Sequence, residues 1–255
     1  MTDKSLLLII DAQYDFCDEK GALYVPGAEQ DMERLALFIK NNIEKLDGII
    51  LSQDAHQVID ISHPAFWVCR NGKNPAPFTQ ISLADVENGE WTSIFGKETA
   101  LKYLKKLDSQ KEFPHVIWPE HCIEGSKGAA IVDIVMDEVK NWARTREQYF
   151  KIVQKGKNPF TEHFGIMNAS VPINHDAETK FNTPLFNSLA EYDTIYIAGE
   201  AQSHCVAVTI KQLLRFKNVA DKMIILKNCM SPVPGFEHLA DGIYSMLKPS
   251  QFIEV

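Results

Sequence analysis

The stretch that decides the fold runs Thr194-Ile195-Tyr196-Ile197-Ala198-Gly199-Glu200-Ala201-Gln202-Ser203-His204-Cys205-Val206. Its first part is β-branched and aromatic, too short for a helix and closed by Gly199, so it reads as a buried strand. Beyond the turn Val206, Ile210 and Leu213 recur at helical spacing, which predicts a helix with Cys205 in its first turn. Free backbone N–H groups and the positive end of a helix dipole favour a thiolate there, and the thiolate is the nucleophilic form of cysteine. Cys205 is therefore the candidate nucleophile. Set against this is the plainer role of a small buried thiol packing a helix on a sheet, so other segments must decide.

Working outward, Leu6 to Ile10 is an uninterrupted apolar run ending in Asp11, the mark of a strand covered on both faces. Leu35, Ile39, Ile43 and Leu46 trace one face of a helix, and Gly48-Ile49-Ile50-Leu51 opens a second strand that ends near Asp54. Together they form a βαβ unit, which implies parallel strands. Residues 57–113 carry scattered aromatics and turn formers before a helical run from about Lys97 to Leu107. So long a connection is expected to be an insertion that serves as a lid or an oligomer contact. Further on, the pattern predicts a helix over 129–143, a third strand over 149–154 running into Lys155-Gly156, and a helix over 185–190. It then predicts the strand already quoted, another over 223–226, a helix over 237–247 and a last strand over 251–255. The expected fold class is α/β, a three-layer α/β/α arrangement around an open, mostly parallel β-sheet, in one domain spanning 1–255.

The 255 residues carry a formal net charge of -8 with no basic cluster, which argues against nucleic acid or an anionic membrane as partner and for a small, uncharged or cationic substrate. Five cysteines without a Cys-x-x-Cys pair do not form a disulfide framework and suit a reducing compartment. The apolar run at the amino terminus is too short for a signal peptide or a span, so the expected location is the cytoplasm.

In open parallel sheets ligands bind outside the carboxyl ends of the strands. Asp11, Asp54 with His56, Lys155 and Cys205 all fall at such ends. Each has a dull reading as a cap, a turn residue or a solvated lysine. Jointly they put a carboxylate, an amine and a thiol on one rim. In an extended Asp54-Ala55-His56 the carboxylate and imidazole point the same way and could share a cation. His121 is the choice for a third ligand, with His63 a rival that spacing leaves open. Asp with two His suits Zn, Fe or Mn.

Taken in order, Asp11-Ala12-Gln13-Tyr14-Asp15-Phe16, Asp54-x-His56, Trp118-Pro119-x-His121-Cys122, Lys155-Gly156 and Gly199-Glu200-Ala201-x-x-x-Cys205-Val206 resemble the isochorismatase-like cysteine hydrolases, and within them the nicotinamidase/pyrazinamidase branch. The resemblance covers nearly the whole chain. It implies an amidohydrolase that converts nicotinamide or a related pyridine carboxamide to the acid and ammonia through a thioester, in a homo-oligomer. Asp11, Lys155 and Cys205 would be catalytic, and Asp54, His56 and His121 would hold one divalent metal, zinc first, that binds the pyridine nitrogen. Phe16, Trp118 and Phe164 would wall the substrate pocket. A cis bond at Glu200-Ala201 would aim the Ala201 N–H, with that of Cys205, at an oxyanion. Two departures touch the pocket's outer wall: a longer connection between His56 and His121, and Phe164-Gly165 in place of the usual Tyr-Ser. They leave open another small amide or carbamoyl substrate. A binding protein without catalysis on the same fold is the alternative of a different class. His204, beside the nucleophile, reads either as a substrate contact or as packing at the helix start.

Overall fold

In the computed structural model, which describes residues 3–110 and 113–255, the centre is a six-stranded sheet ordered β5-β2-β1-β6-β7-β8. Its strands are β1 (Ser5–Ile10), β2 (Gly48–Asp54), β5 (Lys151–Lys155), β6 (Thr194–Gly199), β7 (Met223–Leu226) and β8 (Phe252–Ile253), and all neighbours run parallel. The apolar run of β1 explains its central place. Leu7 and Ile9 face one core, Leu6, Leu8 and Ile10 the other, and all five are fully buried. Because side chains alternate along a strand, such a run is stable only where helices cover both faces. On the first face lie α1 (Ala28–Asn41) and α3 (Asp133–Arg146). On the second lie α4 (Thr183–Ala190) and α5 (Ala207–Leu214).

The chain leaves β1 for β2 and β5 on one side and returns to place β6 on the other. The strand order therefore reverses between β1 and β6, and the crevice at that reversal is where such sheets bind ligands. Two details of register shape it. Ile10 pairs with Gly199, and Asp54 pairs with Lys155. Gly199 has φ 117, and a Cβ there would lie 1.9 Å from the Ile10 carbonyl oxygen, so only glycine lets the end of β6 close on β1.

Residues 57–113 hold a small antiparallel pair, β3 (Trp67–Cys69) and β4 (Trp91–Ser93), and the helix α2 (Lys97–Gln110). They build a separate apolar cluster around Phe66, Trp67, Leu101, Tyr103 and Leu104. The sequence pattern misplaces several boundaries. The helix expected from 129 begins at Asp133, because Val132 N–H donates to Ala12 O and Ile131 bridges Gln13, which holds 129–132 extended against the loop after β1. The strand expected from 149 begins at Lys151 and includes Lys155, while Tyr149 stands in solvent. The helix expected over 237–247 shrinks to Asp241–Tyr244; Gly242 in its middle weakens helical propensity. Among the described residues no helix is long and apolar enough to cross a membrane.

Candidate active site

Lys155, at the end of β5, is the hub. Its ammonium lies 2.8 Å from Asp11 Oδ2 and 2.6 Å from Asp54 Oδ1, and donates to His163 O at 3.0 Å and to the Cys205 sulfur at 3.6 Å. All four side chains are buried: Asp11, Asp54, Lys155 and Cys205. The approach to Asp11 is an ion pair off the hydrogen-bond direction, so Oδ2 has no well-aligned donor. Asp11 Oδ1 accepts from Ser52 Oγ at 2.6 Å, and Ser52 Oγ in turn accepts the Asp11 N–H.

The protonation states follow from burial against pairing. Burial pushes the Cys205 thiol well up, and Lys155 opposes this while Asp11 and Asp54 add to it. These pulls work against the thiolate expected from a helix start. Cys205 sits in a π-helical turn, Gln202–Val206, ahead of α5. Burial likewise raises Asp11 against the pull of Lys155, with Asp54 adding to the rise. For Asp54 the attraction of Lys155 and His56 overcomes burial and holds the carboxyl well below its usual range. Lys155 is held charged, since its two carboxylates outweigh its own desolvation.

Next to this trio the ligand atoms of Asp54, His56 and His121 lie within 4.8 Å of one another. Asp60 Oδ2 contacts His56 Nδ1 at 3.2 Å, and Pro119 O contacts His121 Nδ1 at 2.8 Å. Committing one ring nitrogen to an acceptor leaves the other free for a cation, as ligating histidines require. Gly156, at φ 78, makes room: a Cβ would lie 3.1 Å from His56 Cε1 and 3.3 Å from Asp54 Oδ1. The donor set fits a divalent metal. His63 is not part of it; its Nε2 is spent on His121 Nδ1 at 3.2 Å and its Nδ1 on Gln57 O at 2.9 Å.

No protein-family model matches the chain. It is 24% identical over 205 residues to the nicotinamidase of Saccharomyces cerevisiae, covering 80% of this chain and 78% of that one. The solved yeast nicotinamidase bound to the inhibitor nicotinaldehyde superposes with a TM-score of 0.68 at 20% identity, over 99% of this chain and 100% of that one. The pyrazinamidase of Pyrococcus horikoshii in complex with zinc gives 0.58 at 18%, over 99% of each chain. The fold is that of the isochorismatase-like hydrolases.

The pocket above the trio opens to solvent. Phe16, Trp118 and Phe164 line it, as do Leu23, Glu162, Ala201, His204 and Val233. His204 packs against Phe113, Trp118, Phe164 and Phe236, with Nδ1 2.9 Å from Ser203 Oγ, and burial lowers it to about 4. It is thus a neutral aromatic wall as well as a pocket residue. The Glu200–Ala201 peptide is cis. None of the hydrogen bonds among the described residues uses the Ala201 N–H.

Three supporting groups escaped the sequence reading. Gln13 clamps Asp54 from both sides, its Oε1 accepting the Asp54 N–H at 2.7 Å and its Nε2 donating to Asp54 O at 2.8 Å. Ser52 orients Asp11. Glu162, buried in the pocket wall, is pushed up to about 7, chiefly by burial. The Gln13 of the first motif could have signalled the clamp; Glu162 had no local pattern to mark it.

Proposed function

We propose that this chain is a cysteine amidohydrolase that converts nicotinamide, or a close pyridine carboxamide, to the acid and ammonia. The observation that carries the reading is one buried ammonium, Lys155, against two carboxylates and a thiol at once. Above it lies a pocket with aromatic walls and a His-His-Asp donor set at its side. Likeness to a nicotinamidase and to a zinc-bound pyrazinamidase supports the substrate class and the metal.

In this mechanism Asp11, its basicity raised by burial, takes the Cys205 proton as the substrate displaces water. The sulfur attacks the amide carbon, and the Ala201 and Cys205 N–H groups receive the oxyanion. Asp11 returns the proton to the departing ammonia and leaves a thioester. A water molecule, deprotonated by Asp11, then opens the thioester to the acid and restores the thiol. Lys155 balances the charge that moves between Asp11 and Cys205. Asp54, His56 and His121 would hold a divalent metal, zinc first with iron or manganese as alternatives, which supplies a Lewis-acid anchor for the ring nitrogen. Phe16, Trp118 and Phe164 stack around the ring. Residues 57–113 act as the lid, a role supported by the Trp118 N–H donating to Ser62 O at 2.8 Å and by His63 leaning on His121.

Ammonia release from nicotinamide tests the reading directly. Cys205→Ala is expected to keep the fold and lose activity by about 10^3-fold or more; substantial residual turnover would remove Cys205 from its role. His56→Ala is expected to lose bound metal by elemental analysis and to raise KM about tenfold. Unchanged metal content would argue against the Asp54-His56-His121 site.

A further inference from the structure

The turn carrying Ala201 and Cys205 rests on a buried acid that the reaction above does not use. Glu200 is fully buried. Its Oε2 accepts the Ser231 N–H at 3.0 Å, while its Oε1 has no donor. Beside it lies Asp31 of α1, ion-paired with Arg34 at 2.7 Å and accepting from Ser231 Oγ. Around this contact two segments are sewn together. Gly199 N–H donates to Cys229 O at 3.0 Å, Gln202 N–H to Ser231 O at 2.9 Å and Val233 N–H to Ser203 Oγ at 3.0 Å. Tyr244 adds a hydroxyl on Gln202 O at 2.9 Å. Val233 and Ala201, one on each segment, both line the pocket.

We propose that Glu200, through Ser231, which binds both its carboxyl and Asp31, is a positioning residue that holds the Ala201 and Cys205 N–H groups where the oxyanion forms. The proposal rests on the amidohydrolase reading above. As a carboxylate, Glu200 would bury Oε1 unpaired beside a second anion, with Arg34 already paired to that anion. As a neutral acid it can share its proton with Asp31, to which Ser231 ties it through its N–H on Glu200 Oε2 and its hydroxyl on Asp31, and two buried carboxyls that share one proton avoid that cost. Burial, then Asp31, push Glu200 well above the usual carboxyl range. The other titratable groups facing it are Arg34, Cys17, Cys229 and Tyr244. Burial pushes Cys17 and Tyr244 up and Cys229 to about 12, so thiols and phenol stay neutral around it. Neutrality also matters to the reaction, because an anion one residue from the oxyanion donor would oppose the charge the transition state develops.

The test compares Glu200→Ala and Glu200→Gln with the wild-type holoenzyme. Glu200→Ala is expected to lower kcat about tenfold or more with KM within about threefold. Nicotinaldehyde, whose carbonyl becomes an oxyanion-bearing adduct when the thiol adds to it, should weaken by a similar factor. Nicotinate, which fills the pocket without that adduct, should change less than about threefold. Glu200→Gln keeps an acceptor for Ser231 and a donor for Asp31 and should restore kcat to within about threefold of wild type. Wild-type kcat in Glu200→Ala, equal loss of aldehyde and acid affinity, or a Gln variant as impaired as Ala would each overturn the proposal. Glu200→Leu takes the place of Ala where Ala does not fold; if only Gln folds, Glu200 is a packing requirement and the proposal falls. A wild-type protein that hydrolyses no pyridine carboxamide defeats the amidohydrolase reading alone. Iodoacetamide alkylation of Cys205 then decides the positioning role: a change of at least about threefold in Ala and not in Gln sustains it, and equal rates overturn it.

Discussion

The two halves of the pocket are built differently. The charged half, Asp11, Asp54, Lys155 and Cys205, comes from the ends of four neighbouring strands, and register alone brings Lys155 beside Asp54. The aromatic half comes from loops: Phe16 from the one-turn helix after β1, Trp118 from the segment after the insertion, Phe164 from the stretch before α4. A rigid sheet can hold buried charges within hydrogen-bond distance, where small displacements are costly. Loops can vary in shape without disturbing that arrangement. On the proposed function, the difference would leave the chemistry to the strand ends and the choice of substrate to the loops.

The largest effect expected from this contrast is on the charged half. Lys155→Met removes the one cation shared by Asp11, Asp54 and Cys205, leaving two buried carboxylates facing each other. Losing one partner of a buried charged set destabilises the fold by about 3–5 kcal/mol, and without the cation that balances the charge passing between Asp11 and Cys205, kcat is expected to fall by about 10^3-fold. Steady-state kinetics of ammonia release check this. A loss confined to KM would mean that the strand-end charges bind the substrate rather than drive its chemistry.

The same contrast accounts for what could be read from the amino acids. The run Leu6 to Ile10 is apolar at every position because both faces are covered, so β1, its burial on both faces and the location of Asp11 were legible. Lys155 and Cys205 could be placed at strand ends by the same logic. What escaped depends on long-range packing. Nothing around Glu162 marks it as a pocket acid, and no spacing rule shows that His63 turns to His121 rather than to Asp54. The π-helical turn at Cys205 keeps the periodicity of a helix start, so the pattern foretold the helix but not the geometry of its entry. The burial that works against the expected thiolate is likewise a property of the folded chain.

A second prediction concerns pH and falls on the aromatic half. His204 is lowered from 6.5 to about 4 by burial among rings, so the native state holds it neutral where the unfolded chain would protonate it. Its contribution to stability is fully present above pH 6.5 and is lost as pH falls toward 4. At about 1.4 kcal/mol per pH unit, this one residue costs about 2–3 kcal/mol between pH 6.5 and 4.5. His204→Phe should lose that part of the acid sensitivity, measured as urea unfolding free energy at the two pH values. An unchanged difference would mean that His204 is solvated in the working protein, and the aromatic half would be wetter than its packing suggests.

The smallest expected effect sharpens the contrast most. Trp118 is buried in the pocket wall, edge-on to Phe78 and His204, and its indole N–H has no partner among the described residues. Its ring contacts among the described residues are with Phe78, His204 and Phe236, so its energy should go into holding a ring in place. Trp118→Leu keeps the wall apolar but removes the flat face, a loss of about 1–1.5 kcal/mol for an aromatic contact. That corresponds to a rise in KM of about tenfold with kcat little changed. The two constants moving together would mean that the loop wall also aligns the amide with Cys205, and the division between a charged half that reacts and an aromatic half that selects would have to be given up.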